Sequence, residues 1–209
     1  MFESLKLQTI HEKSGFAIGL YKNKQNFPNR KDNKKRAGIL YIHAQEYAKS
    51  KSMRITLLET GKTETDYLQK GIDVYARRIK HYLPFDEFVI PALKNTRHLS
   101  EAQQKQKEGL LLLDYLKPGD ELILLDERGD HFDSVGFAAF LEKKMIAGTR
   151  SIVFAVGGPY GFSEEVYARA QFKLSLSEMT FSHQLVRLIF VEQLYRAMAI
   201  IKGEPYHHG

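Results

Sequence analysis

The chain has 209 residues, 43% of them hydrophobic, a formal net charge of +6 and no cysteine. That size and composition suit one well-buried globular domain with a tail, and the missing cysteines exclude a disulfide scaffold, a thiolate metal site and a cysteine nucleophile. The longest apolar runs, such as Leu110 to Leu113 and Leu188 to Val191, are far too short to span a bilayer, and charges interrupt any signal core near the N-terminus, so a cytoplasmic location is expected.

The charge is unevenly placed. Residues 1–52 carry +7, whereas residues 53–209 carry −1. The first segment contains the polar, basic stretch Tyr21 to Arg36, which lacks apolar periodicity and is expected to be a flexible extension. Three readings stay open for it: a basic arm for RNA, a solvated tail, or an upstream start with Met53 as the initiator.

From Met53 onward strand and helix patterns alternate. Strands are predicted near 53–59, 86–91, 121–125, 151–156 and 172–176, and helices near 64–82, 100–116, 133–145, 163–170 and 183–202. This order predicts an α/β domain with a mainly parallel sheet. In the first helix Thr63 is a candidate cap, and Leu68, Ile72, Tyr75, Ile79 and Leu83 form a core stripe. Lys70, Arg77, Arg78 and Lys80 lie off that stripe, where they form either a solvated face or phosphate contacts.

The fourth strand, Ile152 to Val156, is apolar and β-branched, the pattern of a strand covered on both faces. Gly157 and Gly158 end it without side chains, so a flat ligand could approach the main chain there. Pro159 and Gly161 suit a turn, and Ser163 followed by Glu164 and Glu165 suits a helix start. Neither a G-x-G-x-x-G fingerprint nor a P-loop is present.

The last helix is hydrophobic in nearly every direction, which predicts cover on more than one side, by the sheet and by a second subunit. Glu192 and Arg196 form an i,i+4 pair on one edge, while His183 and Arg187 share the opposite, apolar face. An arginine on such a face needs an anionic partner. A carboxylate across a dimer or an RNA phosphate would serve. Ser182 is a plausible cap for this helix.

The pieces GGPYG at 157–161, Leu176-Ser-Glu-Met-Thr-Phe-Ser-His183, E-Q-L-Y-R-A at 192–197 and the closing Pro205-Tyr206-His207, in this order, closely resemble the RlmH (YbeA-type) family of SPOUT methyltransferases. The resemblance covers roughly residues 53–209. It implies an α/β domain with a C-terminal trefoil knot that holds S-adenosylmethionine. It implies methylation of N3 of a pseudouridine in helix 69 of 23S rRNA, carried out by a homodimer on assembled ribosomes. No metal is implied.

The family's cofactor positions correspond here to Leu125, Gly158, Ser177, Glu178, Met179, Thr180, Phe181 and Ser182. Phe181-Ser182-His183-Gln184 replaces a Leu-Pro-His-Pro type of sequence, so two rigidifying prolines are absent. A cofactor held through main-chain groups tolerates that. Candidate catalytic groups, for removing the N3 proton or stabilising the resulting anion, are Arg187, His183, Tyr206 and His207, with His208 behind them. Two rivals are a nucleotide-binding α/β protein using NAD or ATP, and an RNA-binding module without catalysis. The near-neutral body of the chain disfavours generic RNA binding, which draws on phosphate neutralisation by Lys and Arg.

Overall fold

A computed structural model describes residues 53–206 of the chain. In chain order the elements are β1 (Arg54–Thr60), α1 (Asp66–Ile79), β2 (Phe85–Ile90), a 3-10 turn (Thr96–His98), α2 (Glu101–Tyr115), β3 (Glu121–His131), α3 (Ser134–Ile146), β4 (Ser151–Val156), α4 (Glu164–Arg169), β5 (Phe172–Ser175) and α5 (Leu185–Lys202). The strands form one sheet in the order β2-β1-β4-β3-β5, and every pairing is parallel. The alternating pattern from Met53 is therefore an α/β fold with a parallel sheet, as expected.

The sheet is buried on both faces, which is why β4 reads as an unbroken apolar run. One face carries α1, α3 and α5, whose Ile72, Ala76, Phe137, Leu141, Phe190 and Leu194 pack with Ile55, Leu57, Ile123 and Phe154. The other carries α2 and α4, with Leu112, Phe162 and Val166 against Leu58, Leu122, Leu124 and Val153. The helix α5 packs against both α1 and α3 of its own chain. Much of the apolar girdle assigned from sequence to a second subunit is thus covered internally.

Two local expectations change and one holds. The hydroxyl of Thr63 does not cap α1: it accepts a hydrogen bond from Arg187 at 2.9 Å, and the helix begins two residues later than predicted, behind Thr65. Ser163 precedes α4 but its hydroxyl makes no capping bond and lies buried without a partner. Ser182 does serve the start of α5, accepting from the Leu185 N–H at 3.2 Å.

The strand β3 runs six residues beyond its predicted end because of a bulge. Leu125 pairs with Leu174, the register then breaks, and Asp130 also faces Leu174. Residues 126–129 are left out of the ladder and swell away from β5. Gly129 returns the chain so closely that a methyl group on it would lie 2.6 Å from the Leu174 nitrogen. The bulge forms one wall of the site.

Candidate active site

Because all strands run the same way, the carboxyl ends of β3, β4 and β5 open on one edge, where open α/β sheets bind ligands. A cleft of about 540 Å³ lies there, between the β3 bulge, the 157–161 loop and the segment joining β5 to α5. Its lining includes Leu125, Gly158, Ser177, Met179, Thr180, Phe181 and Ser182, together with His183. Seven of the eight cofactor positions expected from sequence thus converge on one cleft. Glu178 is the eighth; it is exposed and outside the lining.

The 157–161 loop is a tight main-chain turn. Gly161 donates its N–H to the Gly158 carbonyl at 3.0 Å and holds φ at +80°. A methyl group on Gly157 would lie 3.2 Å from the Gly161 carbonyl, and one on Gly158 would lie 2.3 Å from a Glu108 carboxyl oxygen. The missing side chains therefore make room for the protein itself. The space in the Cβ direction of Gly158 is thus filled by Glu108, while its main chain lines the cleft.

The opposite segment is organised by its own serines. Ser175 donates to the Ser177 carbonyl at 2.9 Å, and the Ser177 hydroxyl accepts from the Met179 N–H at 2.9 Å. Thr180 donates to Glu127 of the bulge at 3.3 Å, bridging the two walls. At the two positions where prolines are replaced, Ser182 accepts from the Leu185 N–H at 3.2 Å and the Gln184 side chain accepts from the Glu64 N–H at 2.9 Å.

Asp126 and Tyr167 add a fixed polar anchor that the sequence analysis did not single out. The Asp126 carboxyl accepts the Tyr167 hydroxyl on one oxygen and the Arg128 N–H, at 2.8 Å, on the other. Burial and this carboxylate push the Tyr167 hydroxyl up to about 12, so it stays a donor. Asp126 directly follows the strand-end residue Leu125, and an acid at the carboxyl end of a buried parallel strand was the available signal.

The candidate catalytic residues fall in three places. His183 is half-buried in the cleft lining, and its imidazole is held below its ordinary range first by burial, then by the nearby Arg187 charge, against the pull of Glu64. Arg187 is wholly buried outside the cleft. It pairs with Glu59 of its own chain at 3.0 Å and donates to the Thr60 carbonyl, the Gly61 carbonyl and Thr63. Neither a partner subunit's carboxylate nor a phosphate is needed to satisfy its charge, because the end of β1 supplies the anion.

Tyr206 is pinned well away from its own cleft. Its hydroxyl contacts Glu192 at 3.2 Å and Tyr75 at 3.4 Å, its ring packs on Tyr195, and Arg196 lies 4.8 Å over it. The cleft meets α5 at Val186, so Tyr206 is displaced along the helix by roughly 9–15 Å at 1.5 Å per residue. Burial and the Tyr75 and Glu192 contacts raise its hydroxyl above the ordinary tyrosine range. Glu192 also holds Arg196 at 2.6 Å, the i,i+4 pair expected from sequence. His207 lies outside the described residues.

The family model described as "Predicted SPOUT methyltransferase" matches residues 53–207. The chain belongs to the SPOUT methyltransferase family. Among its relatives is a "Ribosomal RNA large subunit methyltransferase H" from Parabacteroides distasonis, 57% identical over 156 residues, which span 75% of this chain and 99% of that protein. A protein of the same name from Flavobacterium johnsoniae is 56% identical over the same length and coverage. The SpoU methyltransferase AviRb from Streptomyces viridochromogenes, solved with AdoMet, is a remote structural neighbour at 12% identity and a TM-score of 0.37, covering 69% of this chain and 58% of that one.

In this SPOUT methyltransferase no group of three or more His, Cys, Asp or Glu among the described residues could hold a metal ion. No helix among them is long and apolar enough to cross a membrane. The family match begins at Met53, the first described residue.

Proposed function

We propose that this SPOUT methyltransferase uses S-adenosylmethionine, without a metal, to methylate N3 of a pseudouridine in helix 69 of 23S rRNA. It acts as a cytoplasmic homodimer on assembled ribosomes. The observation that carries the reading is the cleft at the ends of β3, β4 and β5, whose lining includes seven of the eight expected cofactor positions. Its volume of about 540 Å³ falls within the ordinary range for small-molecule sites. The relatives named above support rRNA as the substrate class. In the same reading residues 53–209 are the methyltransferase domain, knotted as a trefoil at the C-terminal end, and residues 1–52 are an accessory extension.

The bound cofactor supplies an activated methyl group, so the protein's task is alignment and proton removal. Leu125, the Gly158 loop and residues 177–182 line the seat. His183, whose charged form is disfavoured by burial and by Arg187, accepts the N3 proton in this reading. Tyr206, protonated and held by Glu192, can donate a hydrogen bond to an anionic base. Since it is remote from its own cleft, it reaches substrate only at the cleft of a second copy. The contribution of Arg187 is structural: it holds the β1–α1 turn beside His183.

The competing cofactor reading, NAD or ATP, is tested by thermal-shift titration. S-adenosylmethionine should raise the melting temperature and the nucleotides should not. A shift with NAD or ATP alone would remove the methyltransfer reading.

A further inference from the structure

Glu108 lies on the inward side of α2, 6% exposed, in the face of the sheet packed by Leu112, Phe162 and Val166. One carboxyl oxygen, Oε1, accepts from Gln104 Nε2 at 2.9 Å. The other, Oε2, is buried with no partner. Burial outweighs the Gln104 contact and raises the carboxyl above its ordinary range. A lone carboxyl oxygen in such a place is costly unless it meets a donor or a cation.

What faces Oε2 is main chain. A methyl group on Gly158 would lie 2.3 Å from Oε2, 3.0 Å from Cδ and 3.2 Å from Oε1, so the whole carboxyl is pressed against the Gly158 Cα. Gly158 also lines the cleft. The glycine is thus a thin partition with a carboxyl on one side and the ligand space on the other. Among the described residues no Lys, Arg or His forms an ion pair with Glu108. Oε2 makes no hydrogen bond to the loop, so what joins Glu108 to Gly158 is contact of the carboxyl with the Cα.

We propose that Glu108 is a positioning residue for the methyl donor: its carboxyl, packed against the Gly158 Cα, sets the height of the loop where the cleft receives S-adenosylmethionine. The assignment rests on the cofactor reading above. It also accounts for glycine at position 158, since the carboxyl occupies the space a side chain would need.

Two kinds of variant separate polarity from space. Glu108→Gln keeps the size and the Gln104 bond, and calorimetric titration should show S-adenosylmethionine affinity within twofold of wild type. Glu108→Ala removes the group packed on Gly158 and should weaken that affinity severalfold. Gly158→Ala should weaken binding by crowding Glu108, and adding Glu108→Ala to it should recover part of that loss. Glu108→Ala binding within twofold of wild type, or a double variant no better than Gly158→Ala alone, would overturn the assignment. Wild-type protein that binds no S-adenosylmethionine would instead remove the cofactor reading, and the role of Glu108 with it.

Discussion

Arg187 and Glu59 form an ion pair at 3.0 Å with side chains 0% and 3% exposed, joining the first turns of α5 to the end of β1. Two atoms of the pair, Arg187 Nε and Glu59 Oε1, have no further partner. Removing one member of a buried pair strands the other charge, at about 3–5 kcal/mol, whereas replacing both with apolar groups is often nearly neutral. Arg187→Ala should therefore lose stability on that scale in chemical denaturation. Arg187→Met combined with Glu59→Leu should regain much of it. An Arg187→Ala protein of wild-type stability but no methylation would restore a direct substrate role for Arg187.

The same pair has a pH signature. Burial, opposed by Arg187, raises the Glu59 carboxyl from 4.5 to about 7. A raised folded-state value means the unfolded chain releases this proton first, so the contribution is full below 4.5 and is lost as pH rises toward 7. Glu59→Gln should flatten the fall in stability across that window. An unchanged slope would contradict the burial argument.

His183 is predicted to titrate below 6.5 in the folded protein, because burial and Arg187 both disfavour its charged form. Glu64 pulls the other way, so Glu64→Gln should move the midpoint lower still. Histidine-resolved NMR titration measures both. An upward move in Glu64→Gln would show that the pairing is misassigned.

Tyr206→Phe deletes the hydroxyl contacts to Glu192 and Tyr75 while keeping the ring on Tyr195. The stability cost should be about 0.5–1.5 kcal/mol, with S-adenosylmethionine affinity within a few-fold of wild type and methyl transfer strongly reduced. Mixing Tyr206→Phe chains with Gly158→Val chains, whose cleft loop must shift to clear Glu108, should recover some activity only if one copy's tail serves another's cleft. Absence of recovery in verified mixed dimers would place the tail outside the reaction.

Much of this was legible in the sequence for physical reasons. The unbroken apolar run 152–156, the glycines after it and the alternation of element types carry the parallel sheet and the position of its ligand edge. The family pattern supplied the cleft residues that spacing alone leaves open. What escaped are relations made only by folding: Glu59 meets Arg187 although they are 128 positions apart in the chain, and Glu108 reads as one more polar residue in a helix until Gly158 is set against it. The bulge in β3 was hidden because Glu127, Arg128 and Gly129 look like the end of a strand rather than an interruption in one. Tyr206 was expected to contact substrate, and sequence order says nothing of which way the tail folds back.

Residues 1–52 carry +7 of charge, and the family match begins at residue 53. A protein starting at Met53 should fold, dimerise and methylate ribosomes at close to the full-length rate at physiological salt. Any deficit should appear at low salt, where phosphate contacts weigh most. An insoluble or inactive truncation would make the extension part of the working enzyme.

The central claim is methyl transfer to a single ribosomal site. Ribosomes from cells lacking this modification, incubated with the protein and methyl-labelled S-adenosylmethionine, can be digested and their 23S rRNA fragments mapped by mass spectrometry. One methyl group, on N3 of a pseudouridine in helix 69, is the predicted result. Label on another nucleotide, or cofactor binding with no transfer to ribosomes at all, would contradict it.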